Sequence, residues 1–191
     1  NVHNGGLAIY GGIIVGVFVA YLVTRYKKLP FPAVIDVYAF GFLIGQMIGR
    51  WGNFINREAH GGVTDSFLRM GLEDAFGNVT YSHPTFLYES LWNFVGLIIL
   101  HIWSKKGKRR YDGQTAWLYI LWYGIGRAWV EGLRTDSLYI GSTGIRVSQL
   151  LAAVSAVAAL VILIVNARRE HRPEDMLVNR ETDDCEGSEN G

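Results

Sequence analysis

The stretch VSQLLAAVSAVAALVILIVN, residues 147–166, runs for twenty positions without a charged side chain. A helix rises about 1.5 Å per residue and the hydrocarbon core of a bilayer is about 30 Å thick, so a helix of this length can cross a membrane. Residues 5–24, GGLAIYGGIIVGVFVAYLVT, pass the same test. Three further runs are almost as apolar but hold charge: 33–50 with Asp36 and, at its end, Arg50; 87–103 with Glu89; and 115–133 with Arg127 and Glu131. The expected fold is therefore all-α, a polytopic membrane helix bundle with five transmembrane helices and a small external loop region at about residues 51–86.

Composition agrees with this. The chain has 191 residues, 50% hydrophobic and only 18% charged, which excludes a disordered polar segment. Eighteen basic residues against seventeen acidic give a net charge of +1, no basis for nucleic-acid binding. The single cysteine, Cys185, can form neither an internal disulfide nor a multi-thiolate zinc site. A first residue of Asn1 is what a piece of a longer chain would show.

Orientation follows from the basic residues, which concentrate in short cytoplasmic loops. Arg25, Lys27 and Lys28 follow the first run; Lys105, Lys106, Lys108, Arg109 and Arg110 follow the third; Arg168, Arg169, Arg172 and Arg180 follow the fifth. If the spans alternate, these twelve of eighteen lie on one side, and residue 1 and the 51–86 loop lie outside. Residues 1–167 form the expected transmembrane catalytic domain. Residues 168–191 read as a mobile, polar cytoplasmic tail. The remaining basic residues, Arg50, Arg57, Arg69, Arg127, Arg134 and Arg146, include no lysine. A guanidinium stays charged in apolar surroundings and grips phosphate or carboxylate oxygens in pairs, so the outer half reads as built for anions, with interfacial snorkelling as the alternative.

Polar stripes mark the spans. Tyr119, Tyr123, Arg127 and Glu131 recur every four residues, so they share one helical face, with Arg134 beyond them. Tyr38, Phe42, Gln46 and Arg50 form a second such line, beside a Gly41, Gly45, Gly49 ridge expected to receive a neighbouring helix. His83-Pro84 opens the third run, with Pro84 expected in the first helical turn and His83 read as structural or interfacial. Glu89 and Asn93 then share a face. A buried Glu89 needs a partner, and an arginine from another span is the obvious candidate.

Residues 49–61, GRWGNFINREAHG, fill every fixed position of the pattern G-R-x-G-N-F-x-N-x-E-x-x-G. This stretch resembles the signature of the prolipoprotein diacylglyceryl transferase family. Support comes from His83-Pro84-Thr85 with Leu87-Tyr88-Glu89, from Tyr123-Gly124-x-x-Arg127 with Glu131 and Arg134, and from the glycines at 5–6 and 11–12, over roughly residues 5–160. The family generally has seven spans, so this chain is expected to lack the first two. The resemblance implies a bacterial cytoplasmic-membrane enzyme, with its site toward the external face and its C-terminus in the cytoplasm. That enzyme moves the diacylglyceryl group of phosphatidylglycerol onto the lipobox cysteine of a prolipoprotein signal peptide, forming a thioether and releasing glycerol 1-phosphate. The expected partners are these two substrates and the bilayer; no cofactor or metal is implied.

In this reading Arg50 binds the lipid phosphate and Arg127 stabilises the leaving phosphate or the incoming thiolate. The resemblance has Asn53, Asn56, Glu58 and Gly61 shape the headgroup site. Tyr123, Glu131 and Arg134 orient Arg127, and His83 and Glu89 border the substrate. Some members carry a proposed base, histidine, where this chain has Tyr10. A phenol with a pKa near 10 is a poor base but can donate a hydrogen bond to phosphate, so thiol ionisation is expected to rest on the arginines or on Glu58 or His83. Tyr10→Phe should keep substantial transfer activity, assayed as lipid attached to a lipobox peptide; a loss as deep as that of Arg50→Ala would refute this. The rival readings are a transporter or lipid-binding subunit, whose pathway would need polar groups in the inner half as well, and an inactive fragment of the transferase.

Overall fold

A computed structural model describes residues 6–73, 76–134 and 146–179. Five long helices follow in chain order, with a hairpin between the second and third: α1 (Gly6–Tyr26), α2 (Phe31–Ile55), β1 (Met70–Glu73), β2 (Val79–Ser82), α3 (Thr85–Lys105), α4 (Gln114–Glu131) and α5 (Val147–Ala167). The chain is thus mostly helical, and the expectation of an all-α fold is corrected by one antiparallel hairpin, paired from Met70 with Ser82 to Glu73 with Val79. It lies between α2 and α3.

Among the described residues, α2, α3 and α5 are long and apolar enough to cross a membrane. The described apolar part of α1, Ile14–Tyr26, is shorter, and α4 is not among the helices that meet both criteria. The cause in α4 is its polar stripe, which faces protein. The rings of Phe42 and Tyr119 stack with centroids 5.9 Å apart, and Gln46 Nε2 donates to the Tyr119 hydroxyl at 2.8 Å. The two stripes read from the sequence therefore lie against each other, α2 on α4.

Helix contacts are made by small residues, though not those of the expected ridge. A Cβ added at Gly41, Gly45 or Gly49 would meet nothing within 4 Å, so no helix seats on that ridge among the described residues. Close approach occurs instead at Gly124 of α4, where a Cβ would lie 2.7 Å from the Ala152 carbonyl oxygen and 2.9 Å from Ala156 Cβ of α5. Ala152, Ala156 and Ala159 are buried there. Apolar patterning does not distinguish a ridge that packs on protein from one that does not.

Loops collect at two opposite ends. At one, the turn before α4 meets the start of α2: the buried Asp36 carboxylate accepts from the Gly113 and Ala116 backbone N–H groups, both at 2.8 Å, and Arg109 lies 3.8 Å away. The first N–H groups of a helix have no partner within it, and Gly113 has no side chain to cap with, so Asp36 caps α4 from another helix. Asp36→Ala leaves these donors unsatisfied and should lower stability by about 1–3 kcal/mol, read as a lower thermal midpoint; Asp36→Asn, with one acceptor oxygen for the two donors, should not restore it fully. Residues 171–179 also come to this end. His171 stacks on Tyr111 at 4.5 Å, and the Leu177 N–H donates to Asp112 Oδ2 at 3.0 Å. Burial, and then the Asp36 charge, push the Tyr111 phenol above its ordinary pKa. The tail is therefore folded back over its first part; residues 180–191, with Cys185, lie outside the described residues.

At the opposite end, the segment after α2 threads between α3 and α4. Gly61 bridges to Arg134, its N–H donates to the His83 carbonyl at 2.9 Å, and the Gly62 N–H donates to the Leu133 carbonyl at 3.1 Å. Pro84 occupies the position just before α3 rather than its first turn, and its carbonyl accepts from Leu87 and Tyr88.

Candidate functional site

Arg50 lies in the last turns of α2, Glu89 in the second turn of α3 and Arg127 near the end of α4, all toward the end that holds the hairpin. The three side chains meet. Arg50 Nη2 is 2.6 Å from Glu89 Oε2, and Arg127 Nη1 is 2.8 Å from Glu89 Oε1, so one carboxylate joins two guanidinium groups through its two oxygens. Arg127 Nη2 also reaches Glu131 Oε2 at 2.7 Å, four residues on along α4. The Glu89 side chain is 7% exposed, Arg127 14% and Arg50 21%, which makes Arg50 the most accessible of the three. The arginine partner expected for Glu89 is present twice over.

This arrangement follows from helix geometry. Arg127 and Glu131 share a face because they are four apart, and Glu89 is on the α3 face that turns inward with buried Ser90, Asn93 and Gly96. Buried charges are costly unless paired, and these are paired through contacts of 2.6 to 2.8 Å. Ser90 fixes the α2 side: its hydroxyl donates to the Met47 carbonyl at 3.0 Å and accepts from Trp51 Nε1 at 3.2 Å.

A second cluster lies just beyond α2. Glu58 Oε1 accepts from Asn56 Nδ2 at 3.2 Å and from Asn53 Nδ2 at 3.4 Å, and all three groups are exposed at this turn. Arg57 and Ala59 on either side adopt left-handed backbone with φ of 56° and 55°, a conformation side chains other than glycine rarely take. This doubled turn folds Glu58 back toward the asparagines. Gly61 then has no room for a side chain: its Cβ would lie 2.6 Å from His83 Cβ and 3.0 Å from the Leu133 carbonyl oxygen. The last residue of the motif is thus fixed by close chain crossing. Thr85 supports the same crossing by donating its hydroxyl to the Ala59 carbonyl.

The other expected site residues divide. Tyr123 stacks on Tyr119 at 6.0 Å and lines, with Glu89, Asn93 and Arg127, a small cavity between α3 and α4. His83 places Nδ1 3.3 Å from the Tyr88 hydroxyl, and its backbone holds Gly61 and Gly62. Arg134 is placed by its backbone bridge to Gly61. Tyr10 belongs to α1, and its side chain lies outside the described residues. Of the arginines expected on this side, Arg57 is exposed, Arg69 sits over the Tyr81 ring at 4.3 Å with Asp65 3.8 Å away, and the half-buried Arg50 and Arg127 share Glu89.

Asn93, read from the sequence onto the Glu89 face, is buried in the cavity wall. The sequence reading missed two contributors here, Trp92 and Gly126, which border Arg127. Their signal was a repeated spacing, Trp92 to Gly96 and Trp122 to Gly126, four residues in each helix.

Long apolar helices around a buried arginine–carboxylate cluster near one end define the class: a helical membrane protein with a charged site set between its helices. The chain belongs to the prolipoprotein diacylglyceryl transferase family, whose family model matches residues 1–165. It is similar to the phosphatidylglycerol–prolipoprotein diacylglyceryl transferase of Clostridium botulinum strain Langeland, 45% identical over 177 residues, or 90% of this chain and 68% of that relative. The enzymes of the same description from Halalkalibacterium halodurans and Clostridium novyi are each 44% identical, over 84% and 85% of this chain and 57% and 64% of their own lengths.

Proposed function

We propose that the chain transfers the diacylglyceryl group of phosphatidylglycerol to the lipobox cysteine of a prolipoprotein signal peptide. The observation that carries this is the meeting of Arg50 and Arg127, from separate helices, on the two oxygens of Glu89. A guanidinium has five N–H donors, so one contact to Glu89 leaves others to grip a phosphate. Arg50, the more exposed, holds the lipid phosphate, and Arg127 meets the charge that grows on it.

The sulfur–carbon bond forms as the glyceryl carbon–oxygen bond to phosphate breaks. The electron pair of that bond leaves with glycerol 1-phosphate, and the thiol proton passes to solvent or to the released phosphate. A free thiol has a pKa of about 8.5, and nearby guanidinium groups lower it, so the arginines also raise the thiolate fraction. Glu131 and Tyr123, with Arg134, keep Arg127 oriented. Asn53, Asn56, Glu58 and Gly61 shape the headgroup site, and Glu58 or His83 accepts a proton where one is needed.

The charge pattern supports five spans, of the seven usual in the family, with residue 1 and the hairpin outside and the tail in the cytoplasm of a bacterial cell. The test is purified protein in lipid nanodiscs with phosphatidylglycerol and a lipobox peptide. The expected result is a diacylglyceryl mass gain on the cysteine with release of glycerol 1-phosphate. No gain with or without added family N-terminal spans, or a gain that survives Arg127→Ala, sinks the reading; a gain only after those spans are added identifies a fragment.

A further inference from the structure

We infer that Trp92 and Trp122 form a positioning lock between α3 and α4 that holds Arg127 in register with Glu89 for the transfer, an inference resting on the role of Arg127 proposed above. The two indoles stack with centroids 4.4 Å apart and planes 19° from parallel. Each also donates to the backbone of the opposite helix: Trp92 Nε1 to the Trp122 carbonyl at 3.0 Å, and Trp122 Nε1 to the Trp92 carbonyl at 3.1 Å. Glycines make this possible. A Cβ at Gly126 would run into the Trp92 indole, and one at Gly96 into that of Trp122.

Ordinary apolar packing sets the distance between helices but permits sliding. Two reciprocal hydrogen bonds are directional, so sliding α4 along α3 breaks both. The lock sits at the ion network: Trp92 follows Glu89 by three residues and Gly126 precedes Arg127, and all four border the same small cavity. Any slide of α4 carries Arg127 away from Glu89 by a similar amount, and a misplacement of about 1 Å at a reacting centre can cost about a hundredfold in rate.

The test removes the Trp122 donor, which touches neither the ion network nor the cavity. Trp122→Phe, and Trp122 replaced by 3-benzothienylalanine, an isostere with sulfur in place of the indole N–H, should each lower kcat about tenfold or more. KM for phosphatidylglycerol and for the peptide should stay within about threefold. In an Arg127→Lys background the same changes should cost less than about twofold, because the lock acts through Arg127. As a contrast, Gly124→Ala, at the α4–α5 contact, should multiply independently with Arg127→Lys. A readout independent of turnover is the Arg127 guanidinium proton exchange followed by 15N NMR in nanodiscs, slow in the parent and fast in both Trp122 replacements. Parent-like kcat and exchange, or losses that multiply fully with Arg127→Lys, overturn the lock; absence of transfer by the parent with exchange accelerated as expected overturns the proposed activity and leaves the lock standing.

Discussion

Glu89→Gln should abolish measurable transfer and destabilise the protein by about 3–5 kcal/mol. Glutamine keeps the shape but removes the charge that Arg50 and Arg127 share, leaving two largely buried guanidinium groups with Glu131 as the remaining carboxylate of the network. Breaking a buried ion pair by taking one partner costs more than the pair contributes, because the surviving charge stays desolvated. Here one carboxylate serves two cations, which puts the expected cost at the upper end of that range. Thermal unfolding in detergent checks stability, and the lipobox peptide assay checks transfer. A variant with parent-like stability would mean that the arginines find other partners and that Glu89 is not the hub.

Arg50→Lys and Arg127→Lys should each lower transfer by about a hundred- to a thousandfold, though both keep the positive charge. An ammonium is a point donor without the planar fork that meets two acceptors at once, and Arg127 uses separate nitrogens for Glu89 and Glu131. The two substitutions should differ in kind. Lysine at 50, the more exposed position, should raise KM for phosphatidylglycerol, whereas lysine at 127 should act mainly on kcat. The measurement is the split between KM and kcat at saturating peptide. Equal effects on KM from both would assign both arginines to ground-state binding.

Much of this was legible in the sequence because charge inside an apolar run is rare and periodic. The stripes at Tyr119, Tyr123, Arg127 and Glu131 and at Tyr38, Phe42, Gln46 and Arg50 were placed on single faces by spacing alone, and the helices carry them there. That Glu89 needed an arginine followed from its burial. That it would take two, one on each oxygen, required the distances between three helices, which no local pattern encodes. The glycine ridge at 41, 45 and 49 shows the same limit from the other side, since small residues permit close packing without specifying which neighbour arrives. The hairpin went unread because its strands are only four residues long, too short for an alternating pattern to stand out. The tryptophans at 92 and 122 look like core aromatics until their indole N–H groups are seen reaching across to opposing carbonyls.

The folded-back segment after α5 has a practical side. His171 and Leu177 grip the turn from which α4 starts, the same turn that Asp36 caps from α2. A reporter or affinity handle joined directly after Ala167 would strip those contacts from the helix that carries Arg127, whereas one joined after Asn179 leaves them in place.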